Sequence, residues 1–295
     1  TYGDIVPFSD RGPTAIGRTG PHVAANGADG MGAHALNYGG GGADSNEVWV
    51  ELTAESGGEV IGRSGALDSA DGALDPWAHR CNAYVLDRNG NRIDRRNVED
   101  VFVPLYDHQI PPGAADVVHY RLRIPKGVTG PVTLEARLQY RKLDTAYLRH
   151  IQGDRFVRND LPILILAEDR VTLPVIGGPT AAGQPEQPAN GFPAWQRWND
   201  YGIGLLRKPR NSQLRQAEEA FARLEASGHG DGALNLARVY LADGRLHEAA
   251  LALERASQGE HPAPPWTATW IGALVDRQNG YLDRAVAGFE AILDT

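Results

Sequence analysis

The chain has 295 residues, which is enough for one large domain or two ordinary domains. Its 29 basic and 37 acidic side chains leave a net charge of −8 without any run of Lys or Arg, so nucleic acid is not an expected partner. No stretch approaches about 18 consecutive apolar residues, and Thr1 opens no charged and then apolar leader, so we expect neither a transmembrane segment nor a signal peptide. The single cysteine, Cys81, excludes an intrachain disulfide, a multi-cysteine zinc site and covalent haem attachment.

The first part of the chain is rich in glycine and poor in apolar side chains. Stretches such as residues 26–32 and 39–42 have high conformational entropy and little apolar surface to bury. We therefore predict that residues 1–45 form an extended arm of loops, which becomes ordered only against another surface.

Residues 46–176 show the alternation of apolar and polar side chains that is typical of half-buried β-strands. The alternation is clearest in residues 47–53, 117–124 and 132–139, and segments rich in Gly, Pro, Asn and Asp separate the runs. The Asn-Gly pair within residues 87–94 predicts a tight hairpin turn rather than a calcium loop. About seven short strands without a helical period predict an antiparallel β-sandwich.

The chain beyond the predicted sandwich changes character twice. Residues 177–193 are rich in Pro and Gly and predict a linker. Residues 194–295 have a helical period and repeat their small and large residues: Gly202, Ala217 and Phe221, then Ala237, Gly244, Ala249 and Leu253, then Ala273, Gly280, Ala285 and Phe289. This spacing resembles the tetratricopeptide repeat, in which small residues let paired helices approach and large ones fill the groove between pairs. An unrelated bundle of helical hairpins is the alternative.

The predicted sandwich also resembles a known domain. The resemblance lies in residues 44–51, 63–67, 75–79, 87–94, 103–114, 118–120 and 138–142, which include the run Val-Pro-Leu-Tyr-Asp-His-Gln-Ile-Pro-Pro-Gly-Ala. These segments look like the β-rich domain that follows the haem-binding part of exported multihaem c-type cytochromes, which also carry tetratricopeptide repeats. The resemblance implies an exported protein of the periplasm or the extracellular space, associated with electron transport.

The chain departs from that family in its haem chemistry. The family's haem-attachment motifs are absent, so we expect no cofactor of its own. The family has a Gly-His-x-Phe-Pro-Gly-Gly segment before the first strand, whereas residues 33–40 here read Ala-His-Ala-Leu-Asn-Tyr-Gly-Gly. His34 is the position onto which the role of an axial haem ligand can be carried. This gives an alternative function, a redox module that ligates or covers a partner's haem through His34 or a neighbouring histidine.

The residue types that carry catalysis do not form a recognisable motif. The sequence has no Gly-x-Ser-x-Gly elbow, no phosphate-binding glycine loop and no His-Glu-x-x-His helix, so we expect neither catalytic residues nor a metal site. His79, His108 and His119 lie in segments of the resembled domain and are expected to meet, either facing a haem or metal or fixing loops by hydrogen bonds. Cys81 is expected to be a buried, inert thiol.

Exposed aromatic and aliphatic residues are expected near the end of the helical region. The third predicted unit stops at Thr295 without a polar capping helix. Either the native chain is longer or another subunit covers this face, and on the second alternative we predict partner-binding residues at Trp266, Trp270, Phe289 and Ile292.

The sequence as a whole predicts a non-enzymatic accessory subunit. It would dock through its arm and helical repeats on a protein partner, such as a multihaem cytochrome, a membrane redox complex or an extracellular filament, and stabilise that assembly. A hydrolase of unrecognised mechanism is a further alternative.

Overall fold

The computed structural model of the protein describes residues 46–95, 97–110, 114–176, 192–208, 213–258 and 260–293. The predicted arm with His34, and residues 177–191 of the predicted linker, lie outside the described residues. The described part divides into two compact units, one built mainly from strands and one from helices. The predicted order of a β region followed by an α region is therefore confirmed.

The strand unit contains one larger and one smaller antiparallel sheet. Its strands are β1 (Glu47–Ser56), β2 (Glu59–Ser64), β3 (His79–Arg80), β4 (Ala83–Leu86), β5 (Val103–Asp107), β6 (Val132–Arg141) and β7 (Ile163–Leu173). The larger sheet has the order β2-β1-β6-β7, with β3 paired to β1, and the smaller sheet pairs β4 with β5. Antiparallel strands are thus confirmed, while their arrangement as a sandwich stays a prediction.

The register of the larger sheet gives it one apolar and one polar face. Val50 of β1 lies opposite Leu138 of β6, whereas Glu51 lies opposite Arg137. Because side chains alternate between the faces of a sheet, the aliphatic residues of both strands share one face. Val48 and Cys81 are buried in the cluster packed on it, so the predicted burial of the thiol is confirmed.

A buried ion pair joins the adjacent ends of β1 and β6. Arg141 is fully buried, and its Nε donates a hydrogen bond to Glu47 Oε2 over 3.0 Å, while its Nη2 contacts the same carboxylate. Burial raises the pKa of Glu47, and the attraction of Arg141 offsets this only in part. Removing two charges from water costs free energy. Their mutual attraction offsets this cost only when the remaining N–H donors of the arginine also have hydrogen-bond acceptors.

Those further acceptors come from the loops around the ion pair. Arg141 Nη1 donates to the carbonyl oxygen of Gly72 over 2.9 Å, and Thr145 Oγ1 donates to the same carbonyl over 3.0 Å. Gly72 has φ +73°, and a Cβ there would lie 2.6 Å from the carbonyl oxygen of Asn159, so no other residue fits without strain. Arg141 Nη1 also lies 3.5 Å from the carbonyl oxygen of Asn159, so Arg141 contacts two loops as well as two strands.

One helix and one irregular segment lie where only strands were predicted. Helix α1 (Thr145–Gln152) begins at Asp144, whose Oδ1 accepts a hydrogen bond from Tyr147 N over 2.7 Å. Residues 117–124 form no strand, although their side chains alternate. Leu122 instead packs against β2, where a Cβ on Gly62 would lie 2.5 Å from Leu122 Cδ1. The expectation of a strand at residues 117–124 is therefore wrong.

The chain turns back after β4 where a hairpin turn was predicted, but the turn closes on a single bridge between Leu86 and Arg92, and the strand paired with β4 is β5. Asp87 Oδ1 accepts hydrogen bonds from the backbone N–H groups of Asn89 and Asn91, each over 2.8 Å, and Gly90 adopts φ +82°. Ile93 N closes the turn on the carbonyl oxygen of Val85 over 2.9 Å. Asp87 Oδ1 therefore accepts its hydrogen bonds from the backbone of its own turn.

The described residues of the helical unit form six successive helices, which we group as three helix pairs in chain order. Its helices are α2 (Ala194–Leu206), α3 (Leu214–Ala226), α4 (Gly230–Asp243), α5 (Leu246–Ala256), α6 (Pro265–Gln278) and α7 (Leu282–Leu293). Each helix packs on the next one along the chain. Residues 114–117, between β5 and β6 in sequence, also belong to this unit.

Small residues set the distances between these helices. Ala237 and Ala249, together with their counterparts Ala273 and Ala285, are all buried. A Cβ on Gly202 of α2 would lie 2.5 Å from the ring of Phe221 of α3, a buried residue in the core of this unit. The repeated small residues therefore perform the packing role predicted from their spacing.

The short segment 114–117 is held on α2 by packing and polar contacts. A Cβ on Gly204 would lie 2.7 Å from Val117 Cγ2, and Ala115 O accepts a hydrogen bond from Arg207 Nη1 over 2.8 Å. Lys208 Nζ lies 2.7 Å from Asp116 Oδ1. These contacts give a physical reason why residue 117 does not start a strand.

The buried ion pair gives the first test. We expect Arg141→Met to lower the free energy of unfolding by about 3–5 kcal/mol, because it leaves the Glu47 carboxylate buried without its partner. The control is Arg149→Met, which breaks the exposed ion pair with Asp71 and should cost about 0–1 kcal/mol. Urea unfolding followed by circular dichroism measures both, and equal losses would contradict the role given to Arg141.

The helix contacts give a second test. Gly202→Ala should destabilise the protein by about 1–3 kcal/mol, because the added methyl group overlaps the Phe221 ring. Gly272→Ala on α6 is the matched control, since its Cβ would have no atom nearer than 3.8 Å. That substitution should stabilise the helix by up to about 1 kcal/mol. The same sign for both changes in thermal unfolding would contradict close packing at Gly202.

Candidate functional site

Several large apolar side chains are exposed on α6 and α7. We call this region the α6–α7 surface, and it comprises five exposed residues, Trp266, Trp270, Leu282, Val286 and Leu293, together with the half-buried Phe289. Large exposed apolar groups that adjoin one another are typical of sites where a protein contacts a partner.

Local sequence features place these side chains. Pro265 occupies the first turn of α6, where a missing N–H costs nothing, and Trp266 follows it directly. Gly280 adopts φ +84° after α6, which allows the tight connection to α7. A Cβ on Gly288 would lie 2.9 Å from the Cβ of Ala273, so this glycine lets α7 lie close against α6.

Aromatic rings from both helices meet on this surface. The ring centroids of Trp270 and Phe289 lie 5.1 Å apart at an interplanar angle of 58°, a tilted contact between aromatic rings. Trp270 is nevertheless 46% exposed and Trp266 39% exposed. Exposed tryptophans held in fixed positions are the residue type that most often dominates binding at interfaces.

Helix α7 has apolar residues on two of its sides. Ala285, Gly288 and Ile292 share the side packed on α6, and Ile292 is half-buried there. Val286 and Leu293, on the adjoining side of the helix, are 52% and 85% exposed. Of the predicted partner-binding residues, Trp266, Trp270 and Phe289 thus meet on this surface, while Ile292 is turned towards the neighbouring helix.

Two of the three histidines singled out by sequence do come together in the strand unit. His79 and His108 stack with ring centroids 4.6 Å apart, and Tyr106 stacks on His108 at 4.4 Å. Burial raises the pKa of Tyr106. His119 is exposed and is not part of this stack. Within the described ranges, no three His, Cys, Asp or Glu side chains are arranged to hold a metal ion.

A second histidine pair, which the sequence did not indicate, lies in the helical unit. The rings of His229 and His261 stack with centroids 4.9 Å apart, and Trp195 stacks on His229 at 4.5 Å. The backbone N–H of Gly230 donates to the carbonyl oxygen of His261 over 2.8 Å. Burial lowers the pKa of His229, the neighbouring His261 lowers it further, and Asp231 opposes them.

This pair predicts a dependence of stability on pH. The folded state favours the neutral form of His229. The contribution of His229 to the free energy of unfolding is therefore complete above its pKa in the unfolded chain, about 6.5, and is lost as the pH falls through its lower pKa in the folded protein. Between pH 7.5 and pH 5, the wild type should therefore lose more stability than His229→Gln. His247→Gln, at an exposed position of α5, should behave as the wild type. Equal pH dependence of all three proteins in urea unfolding would contradict this.

Comparisons with known proteins return no relative. No family model, no curated protein and no solved structure matches the chain. In the part of the chain that the structure describes, no helix has the length and apolar character needed to cross a bilayer.

Proposed function

We propose that this protein is a non-enzymatic accessory subunit that docks on a protein partner through the α6–α7 surface. The observation that carries the proposal is the exposed Trp270, held against the half-buried Phe289 and accompanied by the exposed aliphatic residues Leu282, Val286 and Leu293. An interface of this kind takes its affinity from a few large apolar anchors in its centre.

The helix pairs support the proposal because they provide a rigid base for these anchors. Successive pairs that stack on one another, with small residues buried at repeated positions, agree with a tetratricopeptide-type array. Arrays of this kind bind partners on extended surfaces that the stacking creates. On this proposal the strand unit is a β-sandwich, and it corresponds to the β-rich domain of the multihaem cytochromes that its sequence resembles.

The partner, on this proposal, belongs to an electron-transfer assembly: a cytochrome, a membrane redox complex or an extracellular filament. That part rests on the resemblance of the strand unit and the helix pairs to exported multihaem cytochromes. The same resemblance supports a location in the periplasm or outside the cell. The protein would stabilise or position the redox subunit and would not carry the electrons itself.

The test is capture of haem proteins from the envelope fraction of the source organism. The immobilised full-length chain should retain a protein that stains for covalent haem and is identified by mass spectrometry. Val286→Glu combined with Leu293→Glu should reduce the retained amount at least about tenfold, because charges would be buried at the interface. Ala287→Glu combined with Ala291→Glu, on the solvent side of the same helix, is the matched control and should retain it fully.

Two results would contradict the proposal in different ways. Equal capture by the Val286 and Leu293 variant would show that docking occurs elsewhere. Capture that depends on these residues but yields no haem protein would show that the partner is not a cytochrome.

A further inference from the structure

The helical unit contains an internal precedent for what packs on α7. Helices α3 and α7 are both second members of helix pairs, and Ala217 and Ala285 are their equivalent buried residues. Beside the buried side of each helix runs a row of four residues, which we call the stripe. Aligning Ala217 with Ala285 allows the two stripes to be compared position by position. The stripe reads Leu214, Glu218, Phe221 and Glu225 on α3, and Leu282, Val286, Phe289 and Leu293 on α7.

On α3 the two polar positions of the stripe bind the following helix pair. Glu218 accepts a hydrogen bond from Arg245 over 2.6 Å, and Glu225 accepts one from Arg255 over 2.7 Å. Both arginines belong to the α4–α5 pair, at the start and near the end of α5. The positions of this stripe therefore reach the pair that stacks next.

On α7 the same two positions carry Val286 and Leu293. Both are exposed, and no other helix of the described residues covers them. Arg245 and Arg255 of the following pair contact two carboxylates on α3. A helix that packed on α7 in the same way would contact the aliphatic side chains of Val286 and Leu293 at those two positions. The surface of a helix that binds this stripe is therefore expected to be aliphatic.

The border of the stripe is acidic. Asp283 and Glu290 lie on α7 on the solvent side of the stripe, separated by two helical turns, and neither has an ion-pair partner among the residues that the structure describes. Arg284 does not neutralise them, because it is bound to Asp276 over 3.0 Å. A second copy laid antiparallel on α7 would place these carboxylates against their own equivalents, which opposes self-association.

We infer that the partner presents an amphipathic helix to α7, with aliphatic residues against Leu282, Val286 and Leu293 and with Lys or Arg beside Asp283 and Glu290. The inference rests on the proposed function and specifies the chemistry of the partner at that surface. The stripe on α7 has a spacing of four and three residues, as in a coiled-coil seam, so a helix with the same spacing can lie along it.

Two synthetic helices of three heptads test the inference by fluorescence anisotropy with the full-length chain. Both have Leu at the a and d positions; one has Lys at e and g, and the other has Glu there, so that like charges keep each peptide monomeric. At low salt the Lys peptide should bind at least about tenfold more tightly than the Glu peptide. Asp283→Lys combined with Glu290→Lys should reverse this order.

Neutral variants separate specific docking from the attraction of a basic peptide to an acidic protein. Val286→Asn combined with Leu293→Asn should weaken binding of the Lys peptide about a hundredfold, since two buried aliphatic contacts are lost. Ala287→Asn combined with Ala291→Asn should leave it unchanged. Thermal unfolding verifies that all variants fold.

The inference is overturned if the two peptides bind equally, or if the Val286 and Leu293 variant binds the Lys peptide as the wild type does. It is also overturned if the wild type forms a dimer in sedimentation velocity that this variant abolishes, since a second copy would then occupy the stripe. The proposed function fails on a different result, capture from the envelope fraction that yields no electron-transfer protein, so the two failures can be told apart.

Discussion

A guanidinium without any solvent contact must find all its hydrogen-bond acceptors inside the protein, and this requirement organises the strand unit. Arg141 meets it with the carboxylate of Glu47 and the carbonyl of Gly72, while Thr145 donates to that same carbonyl. Asn159 in turn donates to Thr145 Oγ1 over 3.2 Å. The ends of β1 and β6, two loops and the start of α1 therefore depend on one another, because each supplies a group that the others leave unsatisfied.

The periodic features of the fold were predictable from sequence, and the features set by tertiary contacts were not. The alternation in β1 and β6 and the repeated alanines and glycines of the helix pairs each reflect burial on one side of an element, which a period reveals. Residues 117–124 alternate equally well but have no strand partner. Their first residue is held on α2 by Gly204, and no pattern within the segment itself carries that information. Helix α1 is too short for its period to stand out.

The candidate site shows the same division. The exposure of Trp270 could be predicted from its residue type and its place in the last unit. The importance of Val286 and Leu293 emerges only when α7 is compared with α3. The equivalent positions on α3 carry glutamates that form ion pairs, and this contrast is not visible in the sequence of α7 alone. The stack around His229 joins residues far apart in sequence and leaves no local signal.

The helical unit is not a continuous stretch of sequence, and this affects how the protein is made. Asp116 leaves the ribosome long before Lys208, its ion-pair partner 92 residues later. Until α2 has been synthesised, residues 114–117 have no helix to pack on, so the connection between β5 and β6 stays open while the strands begin to pair. Closing so long a loop is entropically unfavourable and slow relative to local helix pairing. Docking of residues 114–117 on the helical unit is therefore expected to follow the synthesis and folding of α2.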